Sequence, residues 1–397
     1  MDTSAIFRTP QTILYGHNSF EKVGNEAALR GKHALIISDK IMEQLGNIDR
    51  CKQFLQENGV KSSIYLGVTS EPTDQYVEEA LDCFKKEQCD LIIALGGGSC
   101  IDTGKATAVL AVNGGYIGEY MGGGKIAKHA PVPHIAIPTT AGTGSEVTDV
   151  TVITNTGNDV KMMIKQPAFM PAVAIVDPEL TISSPQHVTA ATGVDALCHA
   201  IEAYISKRAH PMTDTMALSA MKLIVNHLES AYRNGTDLEA RKAMSLGSMQ
   251  AGMAFTNASV CLVHGMSRPI GALFHVPHGY SNAMLLPAVL EFSKVACIER
   301  LADLGRIFIQ ESRDITNTEA AHIAVESVKK LCQTLKIPNL KNWGIDEKAF
   351  NLSVNKMVKD AINSGSPANN PKVPTERELE ELYYICYDYQ FSSRQEV

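Results

Sequence analysis

The chain has 397 residues, of which 45% are hydrophobic and 20% charged, and a formal net charge of -7. That length calls for two domains rather than one core, and the acidic balance leaves no electrostatic footprint for a nucleic acid. No apolar run reaches the roughly 18 residues of a membrane span, MDTSAIFRTPQ lacks the basic-then-apolar pattern of a secretory leader, and nine scattered cysteines without a C-x-x-C imply a reduced, cytoplasmic chain with neither disulfides nor a thiolate metal site.

HALIISD (33–39) predicts a strand, and the text around IMEQLGNIDRCKQFLQENG is helix-like. Asp39 closes that strand. An acidic residue there suits ribose hydroxyls and repels a 2′-phosphate, which favours NAD over NADP; it equally suits a helix cap before IMEQL. KSSIYLG (61–67) predicts the next strand, and TDQYVEEALDCFKKEQ has helical apolar spacing.

DLIIALGGGSCIDTGKATAVL (90–110) predicts a buried strand running into Gly96, Gly97, Gly98 and Ser99, with a helix beginning there. Glycines admit a phosphate close to the backbone, and a helix N-terminus offers unpaired N–H groups. The pattern is neither G-x-G-x-x-G nor a P-loop, because Lys105 lacks the required spacing. A tight turn without a ligand is the alternative, although three consecutive glycines exceed what a turn needs. After a glycine-rich GGGK comes HIAIPTT (134–140), a further strand. PTTAGTGSEVTDVTVIT (138–154), with Lys161 shortly after, crowds small hydroxyls that either line a nicotinamide or form a Ser/Thr-rich turn.

Strands alternating with helices signal a largely parallel α/β sheet. From about Ser184 long helical windows dominate, and no convincing strand follows Val176. The expected plan is an α/β domain over 1–183 and a helical domain over 184–397. A cleft between them would be the natural ligand site.

In ATGVDALCHAIEAYIS (191–206), Asp195 and His199 lie four apart and project from one helical face among apolar neighbours. A carboxylate and an imidazole suit a divalent metal; a plain helix-stabilising hydrogen bond is the alternative. VHGMSRPIGALFHVPHG (263–279) holds His264 and His278, 14 apart, which share a face if one helix continues through Pro269. They would complete a set of one carboxylate and three imidazoles. His275 is a rival ligand or an acid/base group. Arg268, four residues after His264, suits a carboxylate, sulfonate or phosphonate, or else a local acid or the cofactor phosphates.

Together GGGSCIDTGK, PTTAGTGSEVT, TAATGVDALCHAIEAYIS and HGMSRPIGALFHVPHGYSNAMLLP resemble the iron-containing (group III) alcohol dehydrogenase family. The resemblance spans essentially the whole chain, including FRTPQTILYG and DPELTISSPQ. It implies an N-terminal dinucleotide-binding (Rossmann-like) α/β domain and an all-α C-terminal metal-binding domain, the dehydroquinate synthase-like plan. By motif, it implies metal ligation by Asp195, His199, His264 and His278. It implies pyrophosphate contacts at the glycine turn with Ser99 and Asp102. Nicotinamide-side hydroxyls would be Thr139, Thr140, Thr143 and Ser145, with further cofactor contacts at Lys161 and Leu180, and NAD preference through Asp39. A homodimer, or a larger assembly of dimers, is implied through pairing of the first strand. Two departures stand out. Arg268 replaces a histidine regarded in the family as a possible proton relay, and SEPT (70–73) puts Glu71 where an asparagine is common.

The expected activity is NAD-linked, metal-dependent hydride transfer between the nicotinamide and a short-chain primary alcohol or aldehyde, with Fe2+ (or Zn2+ or Mn2+) polarising the oxygen. An anionic aldehyde such as sulfoacetaldehyde or succinate semialdehyde would be bound by Arg268, and His275 is a candidate proton relay. The alternatives are a glycerol- or propanediol-type polyol dehydrogenase and, from another class, a non-catalytic nucleotide- or metal-binding protein.

Overall fold

A computed structural model describes residues 4–309 and 314–391. The extreme ends of the two expected domain ranges, and the first three residues of the leader reading, lie outside the described residues. The chain forms two compact units. One is Arg8–Ser184; the other starts at Pro185 and takes in the segment before Arg8.

In the first unit the strands are β1 (Thr12–Tyr15), β2 (His33–Ile37), β3 (Lys61–Tyr65), β4 (Leu91–Gly96), β5 (His134–Pro138), β6 (Val150–Asn155), β7 (Val160–Lys165) and β8 (Val173–Val176). The helices are α1 (Val23–Ala28), α2 (Lys40–Gln44), α3 (Asn47–Glu57), α4 (Asp74–Lys86) and α5 (Gly98–Asn113). Six strands form a parallel sheet in the order β1-β8-β5-β4-β2-β3. Both faces of a parallel sheet are covered, so its strands read as unbroken apolar runs. The two faces separate cleanly in β4: Leu91, Ile93 and Leu95 join one core cluster, while Ile92 joins another with Leu35 and Ile37 of β2. The chain order reverses between β2 and β4, and in open α/β sheets ligands bind at the carboxyl ends of strands at such a reversal.

Two local expectations change. IMEQLGNIDRCKQFLQENG is two helices, α2 and α3, because Gly46 adopts a left-handed φ of 73° between them. The Ser/Thr-rich stretch after β5 ends in a strand: β6 and β7 make an antiparallel hairpin outside the main sheet.

β5 begins at His134, which is buried, with no hydrogen-bond partner for Nε2. Burial, with the Lys105 charge second, lowers its pKa to about 3. Below the ordinary histidine value of about 6.5 the unfolded chain therefore takes up a proton before the folded chain does. Stability is lost as pH falls from 6.5 toward 3. Between pH 7.5 and pH 5 the loss from this residue is about 2 kcal/mol. Chemical denaturation at the two pH values should show that loss shrinking by about this amount in His134→Leu. An equal pH dependence in both proteins would contradict the assignment.

The second unit contains α6 (Gln186–Ile205), α7 (Pro211–Arg233), α8 (Leu238–Ala258), α9 (Leu262–Phe274), α10 (His278–Ser293), α11 (Ile298–Ile309), α12 (Asn317–Thr334), α13 (Leu340–Trp343), α14 (Glu347–Asn363) and α15 (Glu376–Tyr387). No strand occurs among its described residues. Helix α6 is buried along nearly all its length and packs against α7, α8 and α10. Its sequence is mostly apolar, as expected of a central helix.

Candidate functional site

Helix α6 places Asp195, His199 and Glu202 at i, i+4 and i+7, one stripe of its surface. All three are buried. Helix α9 brings His264 and α10 brings His278. These two histidines are not on one helix: α9 runs through Pro269 but stops at Phe274. His275 then turns left-handed at φ 53°, and Pro277 stands immediately before α10. A residue preceding proline is driven out of the helical region, so the break falls where HVPH is written.

Despite lying on three helices, Asp195, His199, His264 and His278 each offer one ligand atom within 4.8 Å of all the others. Asp195 Oδ1 is 3.7 Å from His264 Nε2 and 4.0 Å from His278 Nε2, and the His199 and His264 Nε2 atoms are 2.9 Å apart. Ligands about 2.1 Å from one tetrahedral centre stand about 3.4 Å from each other, so these spacings fit a divalent cation. One carboxylate with three imidazoles is also a suitable donor chemistry for iron, zinc or manganese. The His278 side chain is 29% exposed while the other three are buried, so the donors are reached from its side.

Burial, with the His199 and Arg268 charges beside it, keeps His264 well below the ordinary histidine pKa. Glu202 Oε2 lies 2.6 Å from His264 Nδ1, and Glu202 Oε1 accepts the backbone N–H of Val263 at 2.6 Å. The contact assigns the His264 proton to Nδ1 and leaves the Nε2 lone pair facing the other donors. Burial pushes Glu202 up to about 7, and the backbone N–H groups of Cys261, Val263 and His264 counter it. The His199 ring stacks on Phe255, with centroids 4.3 Å apart and planes at 19°. Glu202 went unnoticed in the sequence, although its spacing of seven from Asp195 was there to read.

Arg268 is buried and donates to Ser366 Oγ at 2.9 Å. Burial lowers its pKa to about 10 and the Glu202 charge opposes that fall. His275 is exposed at the end of α9 and is not in the donor set.

In the first unit the carboxyl ends of β2, β4 and β5 gather Asp39, Gly96–Gly98, Ser99, Thr139, Thr140 and Thr143. Asp39 caps α2, its Oδ1 accepting the Met42 N–H at 2.9 Å. Two of the glycines are demanded by the turn itself. Gly96 has φ 155°, and a Cβ there would meet Cys100 Sγ at 2.6 Å; at Gly98 it would meet the Thr143 side chain at 2.8 Å. Only at Gly97 would a Cβ be free of close contact, Thr140 being nearest at 3.8 Å. Helix α5 starts there with no side-chain cap, which leaves its first N–H groups for an anion. Thr139 N–H donates to Gly96 O, joining β5 to the turn.

Asp102 and Ser145 face each other behind this turn. Ser145 Oγ donates to Asp102 Oδ1 at 2.5 Å, and Asp102 Oδ2 accepts the Val152 N–H at 2.9 Å. Lys105, fully buried, donates to Ser145 Oγ, Thr148 Oγ1 and the Val150 carbonyl at 2.7–2.9 Å. This network ties α5 to the loop that carries the hydroxyls. Lys161, expected from the resemblance to contact the cofactor, donates to Glu71 Oε2 at 3.0 Å in an ion pair. The Leu180 side chain lies in the core beneath the sheet.

Two family signatures match the chain: "Iron-containing alcohol dehydrogenase" over residues 10–178, and "Fe-containing alcohol dehydrogenase family, C-terminal" over residues 189–387. The 1,3-propanediol dehydrogenase of Klebsiella pneumoniae is 37% identical over 381 residues, covering 95% of this chain and 97% of that protein. The NAD-dependent methanol dehydrogenase of Bacillus methanolicus is 36% identical over 378 residues, covering 95% and 98%. Among solved structures, the sulfoacetaldehyde reductase of Bifidobacterium kashiwanohense in complex with NAD+ superposes with a TM-score of 0.85 at 28% identity, covering 98% of this chain and 100% of that one. No described helix is long and apolar enough to cross a membrane. With an aspartate and three histidines converging in a helical unit, a glycine turn feeding a helix in an α/β unit, and matches across both, the chain belongs to the iron-containing alcohol dehydrogenase family and is an oxidoreductase of that class.

Proposed function

We propose that this chain is an NAD(H)-linked, metal-dependent alcohol dehydrogenase that moves a hydride between the nicotinamide and a short-chain primary alcohol or aldehyde, 1,3-propanediol-type polyols included. The observation that carries the reading is the buried convergence of Asp195, His199, His264 and His278. These four residues would hold Fe2+, with Zn2+ or Mn2+ as substitutes. Such a cation supplies Lewis acidity at the substrate oxygen, and the nicotinamide gives or takes the hydride. Glu202 keeps the proton of His264 on Nδ1. Phe255 and the aliphatic residues of α6 exclude water. Asp39, Gly96–Gly98, Ser99, Thr139, Thr140, Thr143, Lys161 and Leu180 would contact the dinucleotide, the pyrophosphate lying at the start of α5 and Asp39 disfavouring a 2′-phosphate. Asp102 and Ser145 act in the same site by shaping its floor. His275, exposed three residues before His278, would exchange a proton with solvent.

A second reading has Arg268 binding an anionic aldehyde. The guanidinium's position four residues after His264, and the likeness to a sulfoacetaldehyde reductase, favour it. Ser366 and the Glu202 charge already surround this guanidinium, so the uncharged substrate stands first. Free cysteines at all nine positions support a cytoplasmic setting. The edge position of β1 supports a homodimer formed through that strand, alone or in a larger assembly.

Steady-state kinetics decides between these readings. Protein loaded with Fe2+, Zn2+ or Mn2+ is offered NADH or NADPH with neutral and anionic aldehydes of equal length. NADH oxidation with the neutral aldehydes is expected. No oxidation with any metal would defeat the dehydrogenase assignment. Equal kcat/KM for both charge types, unchanged in Arg268→Ala, would remove the anionic substrate.

A further inference from the structure

Asn282 lies one turn after His278 on α10 and is fully buried. Its Nδ2 stands 2.6 Å from Asp195 Oδ1 and 3.1 Å from the Nε2 atoms of both His264 and His278. An amide nitrogen has two hydrogens, yet three acceptors converge on it, each one a proposed ligand atom. Its Oδ1, by contrast, is buried with no hydrogen-bond partner. A half-satisfied buried amide is costly. A leucine would fill a similar volume without that cost, so the polar atom is explained by what Nδ2 faces.

We propose that Asn282 is a positioning residue of the metal centre, whose amide N–H fixes the Asp195 carboxylate and turns the His264 and His278 lone pairs toward one point. The proposal rests on the reading that the four donors bind a divalent cation. Each imidazole Nε2 has a single lone pair, so a cation and the amide compete for it. A carboxylate oxygen keeps lone pairs to spare. The bond to Asp195, the shortest of the three, is therefore the one compatible with a bound cation. Through it the amide holds the only anionic residue of the four in one orientation.

The test uses the full chain stripped with a chelator and titrated with Zn2+ against a chelating dye, together with melting temperatures with and without Zn2+. Wild-type protein must first bind Zn2+ and gain melting temperature from it; if it does not, the metal-centre reading itself fails. Asn282→Leu is expected to weaken Zn2+ binding by roughly 10–100-fold, the range for outer partners of metal ligands, and to lower the metal-free melting temperature, because the Asp195 carboxylate and the two imidazole lone pairs lose their buried donor. Asn282→Asp sets a second carboxylate beside Asp195. Its metal-free protein should melt lower, and its Zn2+-induced rise should exceed that of the wild type. A packing role would not produce opposite changes in the Zn2+ response of the two variants. A wild-type Zn2+ dissociation constant in Asn282→Leu would overturn the proposal. Should that variant fail to fold, an unchanged Zn2+-induced rise in Asn282→Asp would overturn it instead.

Discussion

His264→Ala is expected to lose bound metal and, with it, kcat by at least about a thousand-fold, because a Lewis acid at the reacting oxygen contributes several kcal/mol to the barrier. His264 is the most constrained of the four donors. It meets Asp195 and His199 on one side and Glu202 on the other. Removing it both opens the donor set and leaves Glu202 Oε2 without its imidazole partner. Glu202→Gln should show a graded version of the same loss, roughly 10–100-fold in metal affinity, since it disturbs only the atom behind the ligand. Metal analysis of purified protein, followed by chelation and reconstitution with Fe2+ or Zn2+, checks both. Wild-type activity should vanish on chelation and return on reconstitution; His264→Ala should not recover at any practical metal concentration. Full metal content with full activity in His264→Ala would refute the assignment of this centre.

Lys105→Met should destabilise the chain by about 3–5 kcal/mol, the cost of removing one member of a buried charged network. Burial works against the Lys105 charge, and the carboxylates of Asp102, Glu146 and Asp149 support it. Without the ammonium, Asp102 and Glu146 keep their burial and lose their shared cation. Calorimetry should register a fall in melting temperature on the order of 10 °C. The loop from Thr143 to Thr148 hangs from Lys105 through Ser145 and Thr148, so KM for NAD should rise more than kcat falls. A variant melting within a degree or two of the wild type would show that the network is not held by this charge.

Four strands of the parallel sheet, β2 to β5, were plain in the sequence, because a doubly covered strand is apolar at consecutive positions, as LIIAL is, whereas β1 and β8, four residues each, were not picked out. The hairpin of β6 and β7 was not, since its strands are half-buried, rich in threonine and methionine, and form a separate two-stranded sheet. In the glycine turn the residues were easy to select, but the reason for them was only partly phosphate access: Gly96 and Gly98 are also required by Cys100 and Thr143. Asp102 and Ser145 carry functional-looking side chains that the fold turns toward each other.

The proposed metal centre divides in the same way. Helical periodicity put Asp195 and His199 on one apolar face, and the residue types pointed to a divalent cation. Periodicity acts only along a single helix, so it misread His264 and His278 as sharing one. By itself the sequence determined the donor chemistry, the helical stripe on α6 and the apolar setting that makes charged side chains there expensive. Only the packing of α6, α9 and α10 decided that Nε2 of His264 faces Asp195 and His199 while its Nδ1 faces Glu202, that Asn282 aims into the donors, and that His275 stays outside. Those outcomes depend on distances between helices, which side-chain packing sets and no spacing along the chain encodes.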